Sequence, residues 1–337
     1  MKILVTGGTG FTGSHLVKHL LREGHDVVAF DNQEGIVLDE LKKLGAKVVL
    51  GSVTDRDALA KAMEGCEVVF HLAAAFRKIN VPKSEYDDTN IHAMRTLLDL
   101  CKENKIKKVV YCSTQGVHGN IASLAQNPPV PGSEDSPIKP EDYYQYTKHQ
   151  GELVAQEYMK DLDITILRPT ALYGPADPAR FLMLFKQVKK GWFPFFGPGK
   201  AFYHPVYVEN FCDAFDLAVS HPASRGRTYI IGDDKYFHIK DIVQKIADIE
   251  KADGLIKGCR MVFLPFRPMY ILSFIVAGIW KLFPSDPPLF PRRVDWYRQN
   301  RGFDISRARK ELEYEPKVKL DEGLKLAYDW YRSHGYL

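Results

Sequence analysis

The stretch Thr6-Gly7-Gly8-Thr9-Gly10-Phe11-Thr12-Gly13 follows the apolar run Ile3-Leu4-Val5 and opens a helix-like pattern over 12–22. Glycine lets a backbone turn tightly and approach a bound group closely. A helix beginning at such a turn presents unsatisfied N–H groups and the positive end of its dipole, which suit a pyrophosphate. A glycine motif alone is weak evidence. Here a strand precedes it, a helix follows, and Asp31 closes the next apolar run, Asp26-Val27-Val28-Ala29-Phe30, about twenty positions on, as a dinucleotide-binding turn requires. A carboxylate at that place accepts hydrogen bonds from the ribose hydroxyls of NAD and repels the extra phosphate of NADP. Asn32, Gln33 and Glu34 follow it, with no Arg or Lys among them. The cofactor expected is NAD.

Outward from the turn, short apolar runs at 3–6, 26–30, 47–50, 68–71, 107–112 and 164–167 alternate with helical patterns at 12–22, 58–63, 90–103 and 144–159. Such alternation predicts a doubly wound α/β fold: a parallel sheet (Rossmann fold) with helices on both faces. Strands buried on both faces read as continuous apolar runs, as "VVF" and "KKVVYC" do. The second half is denser in Pro, Gly and aromatics, as in "GWFPFFGPGKAFYHP" and "FPSDPPLFPRR". We assign 1–170 and 203–250 to the NAD-binding domain, and 171–202 and 251–337 to a smaller substrate-binding region.

The chain has 337 residues, 46 basic and 42 acidic side chains and a formal charge of +4. That balance gives no ground for nucleic acid as a partner. Five cysteines (Cys66, Cys101, Cys112, Cys212, Cys259) show no paired spacing, which argues against a disulfide framework and for a reducing, cytoplasmic setting. The run 269–280 is almost wholly apolar between Arg267-Pro268 and Lys281. It falls short of the roughly 20 residues of a spanning helix. It reads as a buried helix, a lid, or a peripheral membrane contact with basic flanks.

Tyr144 and Lys148 stand four residues apart, one turn along a single helix face. A phenol titrates near pH 10 (about), a poor base at neutrality. A nearby ammonium and the positive nicotinamide ring favour the phenolate. Tyr144 then takes a proton from a substrate hydroxyl as hydride leaves the same carbon, and returns it in reverse. Thr114 or Ser113, at the end of the fifth strand where ligands collect in open α/β sheets, is placed to hydrogen-bond the reacting oxygen.

With these pieces the chain resembles the extended short-chain dehydrogenase/reductase superfamily (NAD-dependent epimerase/dehydratase family). The motifs are "TGGTGFTG", "HLAAA", Asn90, "YCSTQGVHG", Tyr144/Lys148, "LRPTALYGP", "YVENFCDAFDLA" and "DISRARKELEYEP". The resemblance implies that Gly7, Gly10, Phe11, Thr12 and Gly13 cradle the pyrophosphate and that Asp31 with Asn32 holds the adenosine ribose. Ser52 and Val53 would flank adenine, although relatives often carry Asp at position 52. Leu72, Ala73, Ala74, Pro169 and Thr170 would line the cofactor, and Thr114, Tyr144 and Lys148 would form the catalytic triad. It also implies a homodimer formed through two exposed helices.

Departures choose a branch. Ala171 stands where nucleotide-sugar members carry Asn, Tyr203 where they tend to carry Arg, and Gln115-Gly116 where sugar dehydratases carry Asp-Glu. Without those groups a diphosphate is poorly neutralised. The motifs are closest to the 3β-hydroxysteroid dehydrogenase-like branch, whose small-molecule substrates are lipid-like alcohols and ketones. Trp192, Phe193, Phe195, Phe196 and Phe202 are candidates for a greasy substrate wall or a small core. Arg292, Arg293, Arg298 and Arg301 are candidates for a phosphate site or a solvated face. A UDP-hexose epimerase with bound NAD is the alternative, and a non-catalytic NAD-binding regulator the second alternative. His15 and His19 share a helix face without a third ligand, so no metal is expected. His71 and His204 read as structural. No GxSxG elbow is present for a hydrolase.

Overall fold

A computed structural model describes residues 1–76, 81–280, 282, 285 and 287–337. Lys281, the basic residue expected to flank the apolar run, lies outside the described residues, as does part of "FPSDPPLFPRR".

The strands in chain order are β1 (Lys2–Thr6), β2 (Asp26–Asp31), β3 (Lys47–Leu50), β4 (Val68–His71), β5 (Lys108–Cys112), β6 (Ile164–Pro169), β7 (Ala171–Tyr173), β8 (Trp192–Phe196), β9 (Phe202–Tyr203), β10 (Pro205–Tyr207), β11 (Thr228–Ile231), β12 (Phe237–His238) and β13 (Arg260–Leu264). The helices are α1 (Phe11–Arg22), α2 (Leu38–Lys43), α3 (Arg56–Met63), α4 (Lys83–Asp87), α5 (Ala93–Glu103), α6 (Tyr143–Tyr158), α7 (Arg180–Val188), α8 (Val208–Ser220), α9 (Ile239–Ala252), α10 (Phe266–Trp280), α11 (Pro291–Asp295), α12 (Ser306–Leu312) and α13 (Leu320–Ser333).

Seven strands form one sheet in the order β11-β6-β5-β4-β1-β2-β3, every pair parallel. Successive strand residues point to opposite faces, and here both faces are dry. Ile3, Val5, Val27, Ala29, Val68 and Phe70 join α1, α8 and α12 in one core. Leu4, Val28, Phe30 and Val69 join α3, α5 and α6 in another. That explains the unbroken apolar runs and confirms the doubly wound sheet. The six expected strands are all present. The seventh, β11, is a four-residue edge strand, Thr-Tyr-Ile-Ile, too short to carry a pattern of its own.

A third core gathers Phe181, Phe185, Phe193, Phe195, Phe196, Tyr328 and Tyr331. β8 pairs with β13 in parallel beside it. Packing draws the boundary between the two parts differently from chain order. α9 buries Ile239, Ile242, Val243 and Ile246 in this third core, whereas α12 from the C-terminal stretch packs on the large sheet. Phe193, Phe195 and Phe196 of β8 are therefore core rather than wall. Phe193 and Phe195 are buried with rings 4.9 Å apart, and Phe196 sits edge-on to Tyr297 at 5.1 Å. Trp192 is exposed and Phe202 stacks on His238.

Candidate active site

The site lies at the C-terminal ends of β1, β2, β4, β5 and β6. Beyond β1 the backbone turns at Gly7 with φ +72°, its N–H donating to Phe30 O at 2.8 Å. A Cβ on Gly7 would stand 2.8 Å from the amide nitrogen of Ala73, and one on Gly13 would collide with the carbonyl of Gly7. The fold itself demands those two glycines. Gly10 is different: its φ is −67°, and a Cβ there would meet only Gly7 O at 3.3 Å. A Cβ there would be tight against that carbonyl but not excluded by it. Gly10 N-caps α1 without a side-chain cap, and among the described residues the amides of Phe11, Thr12 and Gly13 meet no acceptor. This is a cradle for an anion.

Asp31 is buried at the end of β2 and held by two amides, Thr9 N to Oδ2 at 3.1 Å and Asn32 N to Oδ1 at 2.8 Å. Each carboxylate oxygen keeps a lone pair for a ribose hydroxyl. Asn32 itself is exposed. Ser52 is committed locally, its hydroxyl sharing a 2.7 Å hydrogen bond with Thr54 in the turn that leads to the Asp55 cap of α3. Val53 is buried against the sheet.

After β4, Leu72 N donates to Thr6 O at 3.1 Å and Ala73 N to Thr6 Oγ1 at 3.3 Å, so 72–74 run alongside the glycine turn. Asn90 then clamps the segment. Its Oδ1 accepts from Ala75 N at 2.9 Å, and its Nδ2 donates to Thr147 Oγ1 at 3.0 Å. Asn90 thereby ties the loop after β4 to α6, next to Lys148.

Asp142 N-caps α6 by accepting from Gln145 N at 2.8 Å. Tyr144 is buried, edge-on to Phe76 at 5.1 Å. One turn on, Lys148 is buried with its ammonium 4.2 Å from the ring centre of Tyr111. Among the described residues no carboxylate lies within ion-pair distance of it. Burial pushes the amine down to about 8, with Cys112 and Glu152 pulling weakly the other way. Thr114 is half-buried just past β5, its hydroxyl accepting from Gly116 N at 3.1 Å.

Sequence reasoning missed the support beneath this pair. Glu152, a further turn along α6, is fully buried and gripped by Arg168 of β6 at 2.8 and 2.6 Å. Burial alone would raise this carboxyl, but Arg168, His149 and Ser113 together hold it down at about 2. Ser113 Oγ donates to Glu152 at 2.5 Å. Ser113 is thereby committed to Glu152, whereas the Thr114 hydroxyl accepts only from the Gly116 amide among the described residues. The signal was present as the Arg of "LRPT" and a glutamate eight residues after Tyr144.

Pro169 ends β6, and Thr170 has a buried hydroxyl with no partner among the described residues. Gln115 has a buried side-chain oxygen in the same condition. Unpaired buried polar atoms at strand ends, a bare Gly10 and a fixed Asp31 together fit NAD. The histidines are structural: His15 pairs with Glu209 at 2.7 Å, His19 with Asp216 at 2.5 Å, His71 with Thr6 at 2.7 Å and His204 with Asp233 O at 2.8 Å.

Tyr203, which the resemblance matched to an arginine of nucleotide-sugar members, accepts a hydrogen bond at its phenol oxygen from Arg180 Nη1 of α7 at 2.5 Å.

The chain belongs to the NAD dependent epimerase/dehydratase family, whose model matches residues 3–232. NAD is thus its cofactor, and it is an enzyme of the extended short-chain dehydrogenase/reductase superfamily. Among its relatives is the 3beta-hydroxysteroid-dehydrogenase/decarboxylase isoform 2 of Arabidopsis thaliana, 29% identical over 97% of this chain; the chain spans 61% of that protein's length. The 2-alkyl-3-oxoalkanoate reductase of Stenotrophomonas maltophilia is 26% identical over 96% of this chain and 98% of its own. Among solved structures, the UDP-glucose 4-epimerase of Thermotoga maritima with UDP-glucose superposes with a TM-score of 0.78 at 25% identity, covering 99% of both chains.

Proposed function

We infer that this protein interconverts a secondary alcohol and a ketone on a hydrophobic, steroid- or lipid-like substrate. The observation that carries the reading is the buried Tyr144/Lys148 pair on α6 at the C-terminal edge of the sheet. NAD, when bound, supplies the hydride acceptor. Gly7, Gly10, Phe11, Thr12 and Gly13 bind its pyrophosphate, Asp31 and Asn32 its ribose, Ser52 and Val53 its adenine end, and Leu72, Ala73, Ala74, Pro169 and Thr170 its remaining length. Tyr144 takes the hydroxyl proton at its phenol oxygen, Lys148 stabilises the resulting charge, and Thr114 orients the substrate oxygen. Asn90 and the Glu152–Arg168 pair hold α6 in register with the sheet. The sterol and oxoalkanoate chemistry in the names of the two curated relatives supports this branch. Net NADH production from a long-chain or steroidal alcohol, abolished by Tyr144→Phe, tests it. Conversion of a UDP-hexose without net NADH would favour the epimerase reading instead, which Arg180 behind Tyr203 and the epimerase neighbour keep in play.

The same reading extends to α10, which we take as a peripheral membrane contact. Only Ser273 of its 15 residues is buried. Ile271, Phe274, Ile275 and Ile279 are 64%, 56%, 54% and 52% exposed. Arg267 on α10 itself and Arg292 and Arg293 on α11, which packs against α10, are exposed, and basic groups beside an apolar face suit anionic headgroups. No helix among the described residues is long and apolar enough to cross a membrane. Co-sedimentation with anionic vesicles, lost in Phe274→Glu/Ile275→Glu, tests the contact. We place the protein on the cytoplasmic side, where its five free thiols stay reduced. We further infer a homodimer through α5 and α6, where Tyr146 and Leu153 are exposed. Light scattering of the eluted species decides that point.

A further inference from the structure

The turn that follows β5 meets the start of α6 through two glycines. Gly119 has φ +64°, and a Cβ on it would collide with Lys139 O and stand 3.1 Å from Glu141 Cγ. A Cβ on Gly116 would stand 3.2 Å from Gln145 Cγ and 3.4 Å from Gln145 Nε2. It would also stand 3.2 Å from Thr114 Oγ1. The backbone is tied at the same place, Lys139 N donating to Val117 O at 2.9 Å. Gln145, next to Tyr144 in the chain and only 1% exposed, fills this seam.

The Gln145 side chain and backbone anchor each other. Its Oε1 accepts from Glu141 N at 2.6 Å, while its own backbone N–H donates to Asp142 Oδ1 at 2.8 Å. The pair works as a capping box does, two side chains each answering a backbone donor at the start of the helix. A glutamate serves such a box as well as a glutamine. Glutamine differs in carrying no charge. Beside a phenol that has to ionise, a buried carboxylate would oppose the phenolate, so a neutral group suits this position. With Oε1 anchored, the carboxamide lies against Gly116, and Gly116 N donates to Thr114 Oγ1 at 3.1 Å. A short run of contacts thus joins Tyr144 to Thr114: the first turn of α6, the Gln145 carboxamide, Gly116 and the Thr114 hydroxyl.

We propose that Gln145 is a positioning residue for the reaction: its carboxamide spaces the first turn of α6 from the turn after β5, and so sets the gap between the Tyr144 phenol and the Thr114 hydroxyl in which the reacting oxygen is held. It acts through those two groups rather than on the substrate. The proposal rests on Tyr144 and Thr114 holding that oxygen, which the alcohol/ketone and epimerase readings share.

The test uses the whole protein with NAD, and turnover is read with whichever substrate the wild type uses, a long-chain alcohol or a UDP-hexose. Gln145→Met keeps the volume and removes the acceptor. Gln145→Glu keeps the acceptor and adds a charge, and Gly116→Ala presses on the same contact from the other side. Gln145→Met and Gly116→Ala should each lower kcat by about 10–100-fold, the scale of a small misplacement of reacting groups, and leave KM and NAD affinity nearly unchanged. Gln145→Glu should recover most of kcat at high pH. The pH at which its activity rises should move up by about one unit, as the new charge opposes the phenolate. A Gln145→Met enzyme with wild-type kcat overturns the proposal even if its Tm falls, because the glutamine would then be a helix cap alone. So does a Gln145→Glu pH profile that coincides with that of the wild type. If the wild type turns over neither substrate, the functional readings fail and the phenol still decides this one. The absorbance titration of Tyr144 in the NAD complex, taken as the difference from Tyr144→Phe, should move up in Gln145→Glu; an unmoved titration overturns the proposal.

Discussion

Gly13 has no room for one added carbon, whereas Ile271 on α10 leaves nearly two-thirds of its surface bare. Both segments were conspicuous in the sequence, one as a glycine motif and one as an apolar run. Only the first could be read to a conclusion. The turn at 6–13 is fixed by close approach: Gly7 and Gly13 by the protein's own backbone, with Gly10 left tight but open at the N-terminus of α1. Each requirement leaves a residue-specific mark. The apolar run encodes a preference for leaving water but not the surface that receives it, because burial against a core and burial in lipid select the same side chains. The comparison teaches that constraint, more than hydrophobicity, makes function legible.

Four variants probe that contrast. The largest effect is expected at Tyr144: Tyr144→Phe should cut turnover by about 10²–10⁴-fold while the protein still binds NAD. A full-rate Tyr144→Phe enzyme would place the chemistry elsewhere. Next is Glu152→Gln, which strands Arg168 in the core and should cost about 3–5 kcal/mol, read from denaturant unfolding. The sign follows from the carboxyl held near 2 rather than 4.5. Glu152 stabilises the fold fully above pH 4.5, and that contribution drains away as pH falls toward 2. The variant should lack this acid-dependent component, and retaining it would show that the pair does not hold α6.

Lys148→Met should separate stability from activity. With the amine lowered from 10.5 to about 8, folding opposes the charged form below pH 8, and the opposition is relieved as pH climbs toward 10.5. Removing the ammonium should therefore raise Tm by several degrees at neutral pH, at about 1.4 kcal/mol per pKa unit, as turnover collapses. A fall in Tm would contradict the account of a desolvated, unpaired cation. The smallest change is expected on the other side of the comparison: Phe274→Glu/Ile275→Glu on α10 should leave Tm within about 2 °C, as exposed sites do. A large drop would return α10 to the core.

Much of the large sheet was legible because its strands are dry on both faces and its helices follow at regular intervals. The parts that were not depend on partners distant in sequence. β11 is four residues paired to β6. Phe193, Phe195 and Phe196 of β8 became core because β13, some seventy residues later, lies beside them. In the site, the turn, Asp31, Tyr144 and Lys148 were read from spacing and motif. The Glu152–Arg168–Ser113 support and the seating of Arg180 on Tyr203 were not, because each joins elements whose adjacency only the fold supplies. Tyr203 stood out in the sequence as a departure from the resemblance; the Arg180 guanidinium seated against it did not.

The most direct test is calorimetric titration of NAD and NADP into the wild type and Gly10→Ala, with Gly13→Ala as the folding control. The wild type should bind NAD at least about tenfold tighter than NADP, as the ribose carboxylate dictates. Gly10→Ala should keep its Tm and lose most of that affinity, while Gly13→Ala should lose Tm. Equal or tighter binding of NADP, or a Gly10→Ala protein that binds NAD as the wild type does, would contradict the assignment of 6–13 and Asp31 as the NAD cradle.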